Sequence, residues 1–507
     1  MRKKAYFGMM IAGVAGAEGP EEVSMKTQAL NPFLPGYEYI PDGEPHVFGD
    51  RVYIFGSHDR FGGKKFCMND YVTWSAPIDD LGDWRYEGVI YRKQQDPDNP
   101  KGKLELWAPD VVQGADGRYY LYYCLANYPA IGVAVADSPT GPYEYLDHVH
   151  DKKGAVIGKR EVDTCPFDPA VLVDTDGRVW LYSGNAPRYP QDDPEGMRGS
   201  MVMELERDMV TVASEPRPLI PLVTNSEDTG FEGHEFFEAS SIRKFGNRYY
   251  FVYSSVLCHE LCWAVSDRPD GGFVYGGILV SNGDIRKDAP VAKEALKEVN
   301  PAVKNYTGNN HGGLVQIRGQ YYIFYHRHSN RTMYSRQACA ERIEMLPDGS
   351  FVQAELTSCG LNGGPLEGKG TYRACIACHL HSAKGATFSK GSKIRAKIHP
   401  FFTQEGKDRE RVPAQYIANM RDGATAGFKY FRFENAKKIR IRARGKGTGF
   451  MAVRTKEGEL PAAIIVLDLE KDWKSFSANL HVPDGVHALY FTFEGKGFLD
   501  FWDFKLS

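Results

Sequence analysis

The sequence predicts an all-β chain: a five-bladed β-propeller followed by a β-sandwich of jelly-roll type. Three observations carry this. One sentence of residues recurs five times, aromatic strand formers are abundant (29 Tyr and 28 Phe), and the text changes to long alternating runs well after the last repeat. The repeated sentence is a small turn followed by an aromatic-rich strand. It reads "GDRVYIF" at Arg51, "DGRYYLYY" at Arg118, "DGRVWLYSG" at Arg178, "GNRYYFVYSS" at Arg248 and "RGQYYIFYH" at Gln320. Successive turn positions lie 67, 60, 70 and 72 residues apart. Self-similarity at a roughly fixed period, with further short strands such as "IGVAVADS" and "LCWAVSD" in each unit, is the mark of radial repetition. Five units mean five blades, expected over residues 25–345.

Before the first blade, "MRKKAYFGMMIAGVAGAEG" has a basic start, a short apolar middle and Ala15-Gly16-Ala17 as a cleavage-like end. Residues 1–24 are therefore either a signal peptide or an extension ahead of Met25. Nine cysteines, an odd number scattered through strand-like text, favour buried thiols in a reducing compartment. The expectation is a cytoplasmic protein, with secretion as the alternative if residues 1–17 are a signal. After the blades, residues 346–384 read as a glycine-rich connector, and residues 385–507 as the sandwich, with strands such as "KKIRIRARGKGTGFMAV". The Lys438, Arg440, Arg442, Arg444 alternation reads as a solvated strand face.

The formal net charge of −3 over 507 residues gives no electrostatic reason to expect nucleic acid or an acidic membrane surface. No apolar run approaches the ~18 residues of a membrane span. Oligomeric state is not legible.

Aligned on the apolar strand ahead of each turn, the blades begin "EPHV" at Glu44, "APDV" at Ala108, "DPAV" at Asp168, "EASSI" at Glu238 and "HGGL" at His311. Innermost propeller strands run side by side around the axis, so residues in this slot converge on one mouth of the channel. Three carboxylates and a histidine would share a pocket there. In blade one two acids compete. Apolar phase selects Glu44, which has Val47 at +3, whereas Asp42 would put Pro45 there. Loop length selects Asp42, nine residues before Arg51 where blades two to four have ten. Since a one-residue slip turns a strand inside out, phase is given more weight and Glu44 is preferred. The second strand of each blade returns to the same mouth. It brings His58 and Asp59 of "SHD", Asn185 of "SGN" and His326 of "HRH" as candidate hydroxyl binders.

The runs "WAPDVVQGADGRYYLYY", "FDPAVLVDTDGRVWLY", "FFEASSIRKFGNRYYFVYSS" and "NNHGGLVQIRGQYYIFYHR" resemble glycoside hydrolase family 43 over about residues 30–345. The resemblance implies an inverting enzyme with three carboxylates. Asp168 matches the residue that raises the acid's pKa and Glu238 matches the general acid. The base falls to Glu44 or Asp42, because the family's Asp-Pro of blade one is Glu44-Pro45 here. Trp107 and Asp110 of "WAPD" look like subsite residues, and Arg336 looks like an arginine that reaches the substrate. His311 is similar to a histidine that in some relatives faces a calcium or a water in the channel. No cofactor is required on this reading, with a structural Ca2+ on the axis as an option; no dense oxygen-ligand loop is visible. The C-terminal sandwich resembles the carbohydrate-binding modules appended to this family.

Inversion needs one carboxylate to deprotonate water and an opposed carboxylic acid to protonate the leaving oxygen. A third carboxylate beside the acid keeps it protonated near neutral pH. The expected function is an exo-acting glycosidase releasing terminal α-L-arabinofuranose or β-D-xylose from plant-type oligosaccharides. The alternatives are a β-galactosidase or galactofuranosidase and a non-catalytic glycan-binding propeller. Two short patterns are decoys. "CIACH" at Cys375 fits covalent haem attachment by chance, and "CHELC" at Cys258 reads as core packing rather than zinc, because its side chains alternate along a strand.

Overall fold

A computed structural model describes residues 28–189, 191, 199–387, 397–410 and 414–507. Residues 1–24, with their signal-like text, lie outside this set. Apart from short 3-10 turns, the regular structure among the described residues is β.

Twenty strands form five four-stranded antiparallel sheets. Blade one is β1 (Glu44–Phe48), β2 (Arg51–Phe55), β3 (Tyr71–Pro77) and β4 (Arg85–Tyr91). Blade two is β5 (Leu106–Gln113), β6 (Tyr119–Leu125), β7 (Ile131–Ala136) and β8 (Glu144–His148). Blade three is β9 (Ala170–Val173), β10 (Val179–Asn185), β11 (Gly199–Leu205) and β12 (Arg217–Pro218). Blade four is β13 (Phe236–Phe245), β14 (Arg248–Ser255), β15 (Glu260–Ser266) and β16 (Val274–Ser281). Blade five is β17 (Leu314–Ile317), β18 (Gln320–His328), β19 (Arg336–Met345) and β20 (Phe351–Val352). The innermost strands β1, β5, β9, β13 and β17 neighbour one another in a closed ring, and a parallel bridge between Gly43 and Gly312 joins blade one to blade five. Each repeated turn carries a glycine at positive φ, for instance Gly117 at +84° and Gly177 at +83°, where a side chain would be strained.

The aromatic text serves the packing between blades. One apolar core lies between each adjacent pair; that between blades three and four, for example, holds Trp180, Tyr182, Phe251 and Tyr253. Fully burying one such ring contributes about 1.5–3 kcal/mol. The repeat therefore encodes five equivalent seams.

The C-terminal sheet has ten strands: β21 (Leu366–Glu367), β22 (Gly370–Arg373), β23 (His379–His381), β24 (Phe401–Glu405), β25 (Ala414–Met420), β26 (Thr425–Phe433), β27 (Lys438–Arg454), β28 (Ala463–Leu469), β29 (Lys474–Asn479) and β30 (Gly485–Leu506). Strongly bent β27 and β30 pair along almost their whole length and wrap the sheet around Phe428, Phe491, Phe501 and Phe504, so the sandwich is one sheet folded over a phenylalanine core. Residues 346–384 are more than a connector. Phe351–Val352 pairs with Glu344–Met345 to complete blade five, and β21 to β23 pair into the sandwich. Nor is the basic alternation simply solvated. Arg442 pairs with Asp503 at 2.7 Å and lies over Trp502, while Arg444 pairs with Asp500 at 3.2 Å and lies over Trp473.

Candidate active site

Strand register decides which residues share a level around the axis. Glu44 pairs with Phe55, Asp110 with Tyr122, Ala170 with Tyr182 and Ser241 with Val252, and the Phe324 N–H donates to the Gly313 carbonyl. Glu44, Asp110, Ala170, Ser241 and Gly313 are thus one ring. Two residues earlier in the chain stand Asp42, Ala108, Asp168 and His311. A β-bulge between Glu238 and Ser241 slips blade four by one residue, so that Glu238 takes the corresponding place. The slot above the ring therefore reads Asp42, Ala108, Asp168, Glu238, His311. All five line a single cavity of about 310 Å³.

This corrects the preference for Glu44. Its carboxylate lies below the cavity, accepting from Ser241 Oγ at 3.0 Å and from Arg243 Nη2 at 2.7 Å. Pro45 explains the misreading. It is buried and pairs with Ile54, the position that Val111 and Val171 hold opposite Leu121 and Leu181, whereas Val47 is exposed. A proline fills the apolar slot of blade one. It is tolerated because β1 lies at the end of its sheet.

Asp42 and Asp168 share an unusual backbone, with φ of +57° and +46°. At Asp42 the conformation is held by its own N–H, which donates to His326 Nδ1 at 3.3 Å, while His326 Nε2 donates to the Asn309 carbonyl at 2.7 Å. His326 is neutral in this arrangement, and burial with the nearby Arg336 pushes its pKa well down. Arg336, 1% exposed, donates to Asp42 Oδ1 from Nη1 at 2.9 Å and grips Asp59 through Nε and Nη2 at 2.9 and 3.0 Å. Burial alone would raise the Asp42 pKa, but the neighbouring groups, the Arg336 guanidinium first, bring it below the usual aspartate value.

The other two carboxyls go the opposite way. Burial, then the Asp42 charge, raises Glu238 to about 7, even with Arg336 and Arg188 opposing. Burial, then Glu238 and Asp42, raises Asp168 well above the aspartate range. The two face each other as a pair, and both are pushed toward the protonated form. Asp168 Oδ2 accepts the Ala239 N–H at 3.1 Å, a bond that favours its ionised form and opposes that rise.

The remaining expected binders divide. Trp107 lines the cavity, and its indole Nε1 is buried without a hydrogen-bond partner among the described residues. His311 lines it too, with Nδ1 at 3.6 Å from Asp168 and Nε2 without a hydrogen-bond partner among the described residues. Asp110 is in the lower ring, 2.6 Å from His46 Nε2 and accepting the Val171 N–H, so it positions strands. His58 turns away to the Asp70 carbonyl and to Arg409 of the sandwich. Asp59 and His326 stand behind Arg336 and Asp42, and Asn185 closes β10 opposite Gly199, outside the lining. Sequence reasoning missed Phe66, Cys67, Phe167, Arg188, Phe237, Cys258, Asn309 and Met333. Most of these belong to loops between strands, which carry no periodic signal. Cys258 of "CHELC" thus faces the cavity, while His259 bonds Ser281 Oγ at 2.9 Å.

Comparison with known proteins places the chain in a family. The sequence profile described as "Glycosyl hydrolases family 43" matches residues 30–351. A "Xylosidase/arabinosidase" of Thermoclostridium stercorarium is 50% identical over 485 residues, 95% of this chain and 99% of the relative. A "Xylosidase/arabinosidase" of Bacteroides ovatus is 32% identical over 331 residues, 60% of this chain and 89% of its own. Among solved structures, the GH43_1 enzyme from Xanthomonas citri complexed with xylotriose shares the fold with a TM-score of 0.50 at 24% identity, covering 66% of this chain and 96% of that one. With the family profile spanning the whole propeller, the chain belongs to glycosyl hydrolases family 43, and it is a glycoside hydrolase.

Proposed function

We propose that the protein is an inverting, exo-acting glycosidase that removes terminal β-D-xylose or α-L-arabinofuranose from plant-type oligosaccharides. The observation that carries the mechanism is the convergence of Asp42, Asp168 and Glu238 on one cavity, with Asp42 pushed toward ionisation and Glu238 toward protonation. Asp42 accepts a proton from water as that water's oxygen bonds to the anomeric carbon. Glu238 gives its proton to the glycosidic oxygen as the bond to the leaving group breaks. Asp168 holds the proton on Glu238 through its charge. The sugar choice rests on the 50% identical relative named for xylosidase and arabinosidase activity. Exo action rests on the cavity, whose volume of about 310 Å³ is at the small end for ligand sites, room for a terminal sugar rather than a chain.

Below the cavity, Glu44 Oε1 and His311 Nε2, both buried without hydrogen-bond partners among the described residues, lie 3.9 Å apart. Calcium takes six to eight oxygens, whereas Glu44 Oε1 and His311 Nε2 are one oxygen and one nitrogen, with the Arg243 guanidinium bound to the same Glu44 carboxylate. That pair suits a neutral water better than a cation.

The test is proton NMR of the sugar first released from aryl β-D-xylosides and α-L-arabinofuranosides. Release of the opposite anomer supports the reading, and a retained configuration overturns it.

A further inference from the structure

One route by which the C-terminal domain reaches the catalytic cavity is a blade-one loop. Phe66 and Cys67 of the cavity wall belong to the blade-one loop between β2 and β3, which also carries Asp59, the residue that grips Arg336. Two side chains of the sandwich clamp this loop from outside. Asp408 Oδ1 accepts the Phe61 N–H at 2.7 Å, and Asp408 Oδ2 accepts from Asn69 Nδ2 at 3.1 Å, so one carboxylate ties the beginning of the loop to its end. Asn69 Nδ2 also donates to the Asp59 carbonyl at 3.0 Å, and the Asn69 N–H to that of His58 at 3.0 Å. Beside it, Arg409 Nη1 reaches His58 Nε2 at 2.9 Å and pairs with buried Glu38.

Inside the loop the chain of contacts continues. Asp59 Oδ1 accepts the Cys67 N–H at 2.9 Å, and the same carboxylate orients Arg336, whose Nη1 holds Asp42. A continuous hydrogen-bonded path therefore runs Asp408, Asn69, Asp59, Arg336, Asp42 from the sandwich to a cavity carboxylate. A second branch runs from Asp59 to the Cys67 wall.

We propose that Asp408 of the C-terminal sandwich is a positioning residue for the glycosidase reaction: it staples the Asp59–Asn69 loop so that Phe66 and Cys67 shape the sugar cavity and Arg336 aims the Asp42 carboxylate. The wall branch stands on geometry alone, while the Asp42 branch rests on the role proposed above for that residue. On this view the sandwich completes the active site whether or not it binds glycan. Loss of the staple disturbs sugar binding and turnover together, since both branches hang on one loop.

The experiment compares full-length wild type, Asp408→Ala and Asp408→Asn on an aryl β-D-xyloside, with thermal melting to confirm folding. Asp408→Ala is expected to raise KM and to lower kcat, with kcat/KM down ~10-fold or more, the scale of small misplacements in an active site. Asp408→Asn keeps an acceptor for the Phe61 N–H and should recover much of the loss. A merely stabilising contact would reduce the active fraction and leave KM unchanged. Wild-type KM and kcat in folded Asp408→Ala overturns the proposal. If Asp408→Ala does not fold, Asp408→Asn is read by the same KM criterion: an intermediate rise in KM supports the staple, and an unchanged KM refutes it. Asp42→Asn separates the two readings. An active Asp42→Asn enzyme removes the base assignment but not the wall branch; an inactive one beside an unperturbed Asp408→Ala removes only the staple.

Discussion

Arg336 holds Asp42 with a single 2.9 Å bond from Nη1 while Nε and Nη2 grip Asp59, Nη2 also reaching Cys67 Sγ at 3.4 Å. The division of labour has a chemical consequence. Asp59 fixes the cation, the cation favours the ionised form of Asp42, and on the proposed mechanism the lone pairs that Asp42 keeps free take the water proton. An arginine is needed because only its rigid fork can serve both carboxylates at once.

Asp42→Asn is expected to abolish turnover on every substrate, activated aryl glycosides included, because the water must lose its proton whatever the leaving group. Azide should restore activity to Asp42→Ala or Asp42→Gly, where the removed side chain leaves room beside the anomeric carbon. Steady-state assays with and without azide check both. Normal rates in Asp42→Asn would return the base to another residue.

Glu238→Gln should silence substrates with poor leaving groups and spare those with very good ones, since the swap keeps shape but removes the transferable proton. A plot of log kcat/KM against leaving-group pKa should be steeper in the variant than in wild type. Equal slopes would mean that the blade-four carboxyl is not the acid.

The pH profile follows from the same pair. Activity needs the proton shared by Glu238 and Asp168, so kcat/KM should fall as pH rises through about 7, the value to which burial and the Asp42 charge lift Glu238. Asp168→Asn removes a like charge, and the alkaline limb should move to lower pH. The sign for stability is set likewise. A raised carboxyl pKa contributes stability that is present below its unfolded value and lost as pH climbs through the folded one. Glu238→Gln should therefore lose less melting temperature than wild type between pH 5 and 8, a comparison that differential scanning fluorimetry makes directly.

Asp168 and Glu238 were legible in the sequence because each precedes a strand whose turn and aromatic text repeat, so alignment alone carried them into one slot. Blade four shows the limit of that method. Glu238 reaches the slot only through a bulge that no apolar pattern announces. In blade one the method failed because Pro45 did the work of the valines in blades two and three, and the loop-length argument for Asp42 proved the better guide. The walls were legible only in part. Phe66, Cys67 and Met333 come from loops whose course depends on partners hundreds of residues away, Asp408 among them.

The most discriminating variant returns to "PDGEP". Glu44 is 1% exposed and its charge is matched by Arg243 at 2.7 Å, with Ser241 Oγ at 3.0 Å. Glu44→Gln keeps the shape but leaves a guanidinium in the propeller axis without its counter-charge. Breaking one side of a buried pair costs about 3–5 kcal/mol, so the variant should melt many degrees lower than wild type. Its chemistry should survive, because Glu44 stands below the cavity rather than in its wall. Activity per folded molecule, measured well below the melting transition, is expected to stay within a few-fold of wild type with the same leaving-group dependence. Adding Arg243→Gln removes the orphaned cation, and the double variant should regain part of the lost stability, a coupling that a double-mutant cycle isolates. A Glu44→Gln enzyme that folds normally yet is dead on activated glycosides would reverse the blade-one assignment, making Glu44 the base and Asp42 its neighbour.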